Sequence, residues 1–336
     1  MPDEDNLITR ITRSVPSLTG TKGKRVGVEL GIGDDALVLR PGSAKQWVVT
    51  TDAFIEDVHF WAHRHPADSV GYKGLARATS DLAAMGATPQ FFLLTLALPK
   101  ARTGLWLDKL LAGMGRAARE LGLKLSGGDT TQAAAVSMSF TVIGEIAPGK
   151  AVARSGARPG DILYVSGALG RAQLGLELMR RGLDKDRRFR RLLRAHLYPK
   201  VQIKLGAWLA GQGVASAMMD LSDGLSSDLG RLCAASQVGA RLWAAQIPCA
   251  RLPGKVSPQL RGKSTQPLMM ALHGGDDYEL LFTVPRRMVG KLNAAPGFSD
   301  LHAIGQIQRG KTVSLVGKDG TEHALPALGW DSFREK

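Results

Sequence analysis

The chain has 336 residues, of which 44% are hydrophobic and 22% are charged, a composition typical of a soluble globular enzyme. A single hydrophobic core rarely fills that length, so two domains of comparable size are expected. Two cysteines argue against a disulfide framework or a cysteine-based zinc site and favour a reducing cytoplasm. Residues 1–14 lack the pattern of a secretory signal, and the longest apolar run, residues 91–99, is too short to span a bilayer, so no membrane association is expected.

The first half of the chain alternates β-rich runs with helical patterns. A turn at Pro148 and Gly149 is the best boundary candidate, and it divides the chain into domains 1–149 and 150–336. The elements predicted before that turn are strands at 45–52, 90–98 and 137–146, and helices at 68–85 and 105–121.

The second half restarts with a predicted strand at 161–165, a glycine-containing turn and a helix that ends near residue 179. Further strands are predicted at 215–219 and 278–284, each next to a segment rich in aspartate and glycine. Both halves are therefore mixed α/β, with acids and glycines at the ends of strands.

Part of the net charge of +14 is concentrated in one short segment. This segment is either a nucleic-acid patch or the solvated face of a helix, and a basic protein would also suit phosphate-rich small substrates. No nucleic-acid signature or interleaved aromatic residues accompany it in the sequence, so no nucleic-acid partner is predicted. Its basic residues are Arg180, Arg181, Lys185, Arg187, Arg188, Arg190, Arg191 and Arg194.

Five segments share one pattern, in which an aspartate lies in a turn of glycine, serine or threonine beside an apolar run. A single such segment is usually an Asx-turn or a helix N-cap. Five of them in one chain favour a second interpretation, because carboxylates and hydroxyls are the oxygen ligands of Mg²⁺ bridging nucleotide phosphates. The segments are residues 33–35, 50–52, 80–81, 127–130 and 220–224.

Two familiar nucleotide motifs occur in contexts that do not support them. Residues 305–312 fit the P-loop pattern, but a strand follows where a P-loop requires a helix, so a hairpin is predicted. Residues 31–36 fit a dinucleotide fingerprint but lead into the predicted strand 37–39, with acids where pyrophosphate should lie. Three histidines, His59, His63 and His65, have no obvious third ligand for zinc; His59 is interpreted as a donor to a substrate anion, and the other two as surface residues.

Taken in order, these segments resemble the thiamine-monophosphate kinase family, which belongs to the superfamily of aminoimidazole ribonucleotide synthetase and selenophosphate synthetase. The resemblance covers nearly the whole chain. It implies an α/β (α+β mixed) fold of two domains like that of aminoimidazole ribonucleotide synthetase, and a homodimer with an interfacial barrel built from N-terminal strands. The matching blocks are residues 29–36, 50–60, 80–87, 127–130, 154–157, 220–225, 274–280 and 329–331.

The resemblance also implies three sets of binding residues. The residues implied to hold several Mg²⁺ ions are Asp35, Thr50, Thr51, Asp52, Asp81, Asp129, Asp220 and Asp223. Those implied to bind ATP, the co-substrate, are Gly128, Asp129, Arg154 and Ser222. Those implied to bind thiamine monophosphate are His59, Asp276 and Trp330, with the Trp330 ring stacking on the thiamine rings.

Two positions depart from the family pattern. The family usually has glutamate at position 276, so Asp276 keeps the charge on a stem that is one methylene shorter. Asp57 stands where glycine is common, and its side chain is expected to point into solvent.

The expected chemistry is transfer of a phosphoryl group from ATP to thiamine monophosphate, in line and without a phosphoenzyme. An acceptor phosphate with a second pKa near ~6 is already largely a dianion at neutral pH, so no general base is predicted. The alternatives are another kinase or synthetase of the same superfamily acting on a different phosphorylated small molecule, and a non-catalytic binder of nucleotides or nucleic acid.

Overall fold

The computed structural model describes residues 28–30, 34–39, 45–252 and 266–333. The strands of these residues form two sheets, a six-stranded sheet in the first half of the chain and a seven-stranded sheet in the second. Helices accompany both sheets, so the predicted mixed α/β architecture is confirmed. None of the described helices is long and apolar enough to cross a membrane.

The first sheet has a single covered face. Its strands are ordered along the chain as β1 Val28–Leu30, β2 Leu37–Leu39, β3 Gln46–Ile55, β4 Thr88–Leu98, β5 Lys124–Gln132 and β6 Ser137–Ile146, with helices α1 Ala67–Ala84 and α2 Leu105–Leu121. In space the order is β1-β2-β3-β6-β4-β5, and only β4 and β5 pair in parallel. Strand residues alternate between a face packed on α1 and an exposed face, as expected for a half-buried sheet.

The second half contains the larger sheet and shorter helices. In space its strands are ordered β13-β12-β9-β11-β7-β10-β8, with β9 and β12 parallel and the other pairs antiparallel. The elements of this half are β7 Ile162–Ser166, α3 Arg171–Arg180, α4 Arg190–Leu197, α5 Ile203–Gly211, β8 Ala217–Asp220, α6 Leu225–Ser236, β9 Gly239–Trp243, α7 Pro267–His273, β10 Leu280–Val284, α8 Val289–Asn293, β11 Leu301–Gln308, β12 Val313–Val316 and β13 Glu322–Ala324. Short 3₁₀ turns lie at Lys100–Arg102 in the first half of the chain and at Arg187–Phe189 and Arg286–Met288 in the second.

Helix α1 lies between the two sheets. It packs on β3 and β6 of the first sheet and on β8 of the second, and α2 and α5 also contact it. Its side chains Leu75 and Leu82 are fully buried, and burial of each stabilises the fold by about 1.5–3 kcal/mol. The helix stops at Gly86, whose φ of 75° is accessible to glycine and whose position leaves no room for a Cβ beside Ala210 of α5.

Most predicted elements are present, with ends that differ by up to three residues. The predicted hairpin at 305–312 is wrong. These residues do connect two strands without a helix, but β11 and β12 do not pair because β9 lies between them. The strand that follows the dinucleotide-like motif is confirmed as β2, whereas Gly31 and Gly33 lie outside the described residues.

The described residues form no closed barrel within one chain. Strands β1 and β5 are the two open edges of the first sheet. A barrel between two protomers therefore stays a prediction.

Candidate active site

Three carboxylates from distant parts of the sequence meet between the two sheets. Asp35 precedes β2, Asp81 lies in the last turn of α1, and Asp220 ends β8. One oxygen of each lies within 4.8 Å of the others. Helix α1 brings the first sheet against β8, and this contact is what assembles the cluster.

The charges of this cluster are only partly balanced. Arg154 Nη2 donates to Asp35 Oδ1 at 2.5 Å, whereas the buried Asp35 Oδ2 has no hydrogen-bond donor among the described residues. Thr50 Oγ1 donates to Asp81 Oδ2 at 2.6 Å. Burial, followed by repulsion from Asp35, raises the pKa of Asp220 to about 7, and burial with repulsion from Asp220 raises the pKa of Asp81 well above its usual range. Carboxylates that repel one another, with one buried oxygen left without a donor, fit a divalent cation.

Two other predicted metal residues are paired with arginines. The Asp52 carboxylate accepts hydrogen bonds from Arg77, at 2.6 Å from Nε and 3.0 Å from Nη2. Asp223 accepts a hydrogen bond from Arg231. Asp52 and Asp223 are thus each paired with an arginine, as Asp35 is with Arg154, but Asp35 also has a buried oxygen without a donor among the described residues.

Thr51 and Asp129 lie on a different face of the first sheet. Thr51 follows the buried Thr50 on β3, and its hydroxyl contacts serine and threonine hydroxyls of β6 on the exposed face. Asp129 is exposed on the edge strand β5, in register with the exposed Thr95 of β4. Because side chains alternate along a strand, these two residues are not brought to the carboxylate cluster.

Gly128 is located beside Asp129 on β5. A Cβ at this position would lie 1.9 Å from the carbonyl oxygen of Leu94. The glycine therefore permits the close approach of β5 to β4, a structural role that is separate from its implied contact with ATP.

A cavity of about 370 Å³ brings together the three residues predicted to bind the acceptor. His59, Asp276 and Trp330 all line it, and so does Ser222, which is implied to bind ATP. The backbone N–H of Trp330 donates to the carbonyl oxygen of Asp223 at 2.8 Å, which ties the C-terminal segment to the loop after β8. The loop that follows Asp220 therefore links the carboxylate cluster to the cavity.

His59 is arranged as a neutral hydrogen-bond donor. Its Nδ1 accepts the backbone N–H of Ile55 at 3.0 Å, so the ring proton is on Nε2. Burial, with a further contribution from the Arg77 guanidinium, lowers the pKa of His59 to about 4. A ring that stays neutral at pH 7 can donate to an anion in the cavity and is not a proton acceptor through Nδ1.

The other two histidines differ from each other. His63 is exposed, as predicted, but the prediction of a surface position for His65 is wrong. His65 Nε2 lies 3.1 Å from His196 Nε2 inside the protein. These contacts engage His65 within the fold, and the three histidines do not converge as zinc ligands: among the described residues, only Asp35, Asp81 and Asp220 form a group suited to a metal ion.

The sequence did not lead us to predict Lys73, a buried cation that pairs with Asp276. Lys73 Nζ lies 2.6 Å from Asp276 Oδ2 and 3.3 Å from His196 Nδ1. Burial by itself raises the pKa of Asp276, but Lys73 and then His196 hold that pKa well below its usual range. A signal was present, because Lys73 and Arg77 are the two cations of α1 and lie one turn apart, among residues that the helix buries.

Asp57 has a left-handed backbone conformation. Its φ is 62°, a region that favours glycine but accepts aspartate. The side chain is exposed at the rim of the cavity, as predicted.

Comparison with known proteins assigns the family. The models described as AIR synthase related protein, N-terminal domain, and AIR synthase related protein, C-terminal domain, match residues 33–146 and 158–318. Thiamine-monophosphate kinase of Escherichia coli K12 is 37% identical over 93% of this chain and 94% of its own length. The protein of Bacillus subtilis with the same name is 32% identical over 95% of this chain and 98% of its own.

Solved structures agree with this assignment. The structure of AaThiL complexed with AMPPCP and TMP has a TM-score of 0.82 and 29% identity, and covers 98% of this chain and 97% of that one. Thiamine-monophosphate kinase from Stenotrophomonas maltophilia K279a has a TM-score of 0.73 and 35% identity, with coverages of 94% and 96%. The chain belongs to the thiamine-monophosphate kinase family, within the fold of the AIR synthase related proteins.

Proposed function

We propose that this chain phosphorylates thiamine monophosphate with ATP and releases thiamine diphosphate and ADP. The observation that carries the proposal is the position of the cavity formed by His59, Asp276 and Trp330, which adjoins the carboxylate cluster through the loop after β8. The names of the relatives and the ligands of a similar structure, AMPPCP and TMP, support the same activity.

The cluster would hold Mg²⁺ through Asp35, Asp81 and Asp220. With Mg²⁺ held there, these residues would supply neutralisation of phosphate charge and polarisation of the transferred phosphoryl group. Thr50 orients the Asp81 carboxylate by its hydrogen bond. Further ions are proposed at the other predicted metal residues, Thr51, Asp52, Asp129 and Asp223. Asp52 and Asp223 would each exchange an arginine partner for the metal.

The residues of the chain supply the binding and orientation of the two anions. Arg154, beside Asp35, is proposed to bind the ATP phosphates together with Gly128, Asp129 and Ser222. In the cavity, Nε2–H of His59 donates to the acceptor phosphate and the Trp330 ring packs against the thiamine rings. Asp276 presents a carboxylate to the cationic part of the acceptor.

The transfer is proposed to be direct. An oxygen of the acceptor phosphate forms a bond to the γ-phosphorus of ATP while the bond from that phosphorus to the β-phosphate oxygen breaks. The acceptor is already a dianion near neutral pH, so no residue has to remove a proton. The Nδ1 lone pair of His59 already accepts the Ile55 N–H, and the low pKa makes the ring a weak base, so His59 suits a binding role better than general-base catalysis.

A second copy of the chain is proposed to cover the exposed face of the first sheet. This face carries Trp47 and Leu93, which are 37% and 39% exposed, and it includes Thr51 and Asp129. An apolar face of this kind favours an interface between protomers. Dimerisation would also enclose the two predicted ligands that lie away from the cluster. The division at residue 149 and a cytoplasmic location stay predictions.

The direct test uses purified protein with Mg²⁺, ATP and thiamine monophosphate, followed by chromatography of the thiamine species. Formation of thiamine diphosphate is expected, with thiamine as the matched control that lacks the acceptor phosphate. ADP formation with another phosphate ester, and no thiamine diphosphate, would refute the acceptor and retain the chemistry. A stable acid-labile phosphoprotein that accumulates during turnover would refute direct transfer.

A further inference from the structure

A second cavity, of about 720 Å³, lies in the second half of the chain and is strongly basic. Part of its wall comes from the arginine-rich segment that the proposed catalytic function leaves unexplained. The cationic residues that line it are Arg171, Arg188, Arg191, Arg194, Lys200 and Arg251.

These cations reach the cavity from several separate elements. Arg188, Arg191 and Arg194 follow one another at three-residue steps through the 3₁₀ turn and α4, so they share one side of the segment. The other side of α4 is buried, which holds the helix in place. Arg171 comes from the start of α3 and Arg251 from the segment after β9. Their convergence is a property of the fold and not of a single charged run.

Most of this positive charge is not balanced by acids of the described residues. Arg188 is paired with Asp186, and Arg171 lies at 4.0 Å from Asp300. The remaining four cations are Arg191, Arg194, Lys200 and Arg251. No carboxylate of the described residues lies within 4.0 Å of their side-chain nitrogens.

The two acids of the wall already accept other hydrogen bonds. Asp277 accepts the backbone N–H of Gly170 at 2.5 Å and that of Ala172 at 3.2 Å. Glu279 Oε2 accepts the Ser166 hydroxyl at 2.8 Å and a hydrogen bond from the side-chain amide of Gln202 at 2.7 Å. Burial raises the pKa of Asp277 to about 7 and that of Glu279 to about 8, which reduces the negative charge they carry at neutral pH.

We infer that this cavity binds a small polyphosphate anion, either the triphosphate group of a nucleotide or inorganic tripolyphosphate. Arginine side chains present planar sets of donors that match phosphate oxygens, and several cations around one cavity suit a ligand with several charges. The volume is within the range of small-molecule sites.

Charge, and not base stacking, would provide the recognition. Tyr198 is the one aromatic residue among those that line the cavity. Its hydroxyl donates to Asp68 at 2.8 Å, and its ring is covered by Arg116 and Tyr72. A single-stranded nucleic acid would use exposed aromatic faces, so the lining favours a small anion.

The site is separate from the proposed acceptor cavity, although the two share a wall. On α4, His196 lines the first cavity while Arg191 and Arg194 line the second. Likewise, Asp276 lines the first cavity and the adjacent Asp277 lines the second. The inference does not depend on the catalytic proposal, because binding is measurable without Mg²⁺ or turnover.

The test is calorimetric titration of the full chain with inorganic tripolyphosphate in EDTA at low salt. The variant R191A/R194A removes two charges that line the cavity. The variant R187A/R190A removes two exposed charges of the same segment that do not line it, and is therefore the matched control. Circular dichroism and kinase activity are measured on both variants to establish that each is folded.

Wild-type binding that weakens at least about tenfold in R191A/R194A, and less than about twofold in R187A/R190A, is expected for direct phosphate contacts. Equal weakening in both variants, or no binding by the wild type, would overturn the site. Parallel titrations of the wild type and R191A/R194A with ATP and adenosine identify the source. ATP binding that is lost in R191A/R194A and is no tighter than tripolyphosphate binding indicates the inorganic anion, and tighter ATP binding that is lost in this variant indicates a nucleotide. Tighter binding of a single-stranded oligonucleotide than of either would replace the proposal.

Discussion

Lys73 Nζ lies 2.6 Å from Asp276 Oδ2, and the lysine side chain is only 2% exposed. This ion pair joins a helix of the first half of the chain to the loop before β10 and fixes one wall of the proposed acceptor cavity. The short side chain of the aspartate is sufficient to reach the lysine. The buried ammonium therefore determines both where the Asp276 carboxylate lies and that it is ionised.

We expect K73M to destabilise the protein by about 3 kcal/mol, because it leaves the Asp276 carboxylate without its buried partner. The K73M/D276N protein should lose less stability than the sum of the two single changes, with a coupling of at least about 1 kcal/mol. Urea denaturation of the four proteins in the cycle measures this coupling. Additive losses would show that the pair is not coupled.

Replacing Asp220 by asparagine should separate stability from activity. The pKa of Asp220 is raised, so ionisation at pH 8 destabilises the metal-free protein, and D220N should be more stable by about 1–3 kcal/mol. Added Mg²⁺ should raise the melting temperature of the wild type and not that of D220N. Turnover should fall at least about 100-fold. The control is D300N, which changes an exposed acid. If Mg²⁺ stabilises D220N as much as the wild type, Asp220 is not part of the metal site.

The change W330A should affect the acceptor and not the nucleotide. Loss of the aromatic surface should raise KM for thiamine monophosphate about tenfold or more while KM for ATP stays within about twofold. W330F retains a ring and should keep most of the affinity. Steady-state kinetics with each substrate varied in turn measure this difference, and an equal rise in both KM values would contradict the assignment.

Placing a charge on the exposed face of the first sheet should prevent dimerisation. Leu93 is 39% exposed there, and L93E would bury a carboxylate in the proposed interface. Sedimentation velocity should show a dimer for the wild type and a monomer for L93E. Leu105 at the start of α2 is 68% exposed, so L105E is the matched control and should remain dimeric. A monomeric wild type would refute the interface.

The Glu279 carboxyl should make stability depend on pH. Burial raises its pKa from 4.5 to about 8, so between these values the folded state holds a proton that the unfolded state releases. Stability therefore falls as the pH rises through this window, by up to about 1.4 kcal/mol per pH unit from this group. E279Q keeps an oxygen for Ser166 and Gln202 and should lose that part of the slope. The free energy of unfolding is measured by denaturation at pH 6 and pH 8. The control is E322Q at an exposed position, which should keep the wild-type slope. An unchanged slope in E279Q would contradict the assignment.

Local patterns predicted most elements, because periodicity and helix stops are encoded over short stretches. Helix α2 and strand β6 agree with their predicted ends, and Gly86 stops α1 as predicted. The hairpin at 305–312 failed for a physical reason. A sequence identifies two consecutive strands, but whether a third strand inserts between them depends on hydrogen bonds made far away along the chain.

The sequence by itself determined that the aspartates in glycine, serine and threonine turns are the candidate metal residues, and its resemblance to a family implied which residues bind the acceptor. Only the tertiary structure decided which of these residues meet. Asp35, Asp81 and Asp220 converge because α1 packs against both sheets, while strand alternation sends Thr51 to the opposite face. The pairing of Lys73 with Asp276 spans 203 residues, and no local pattern encodes a contact of that range.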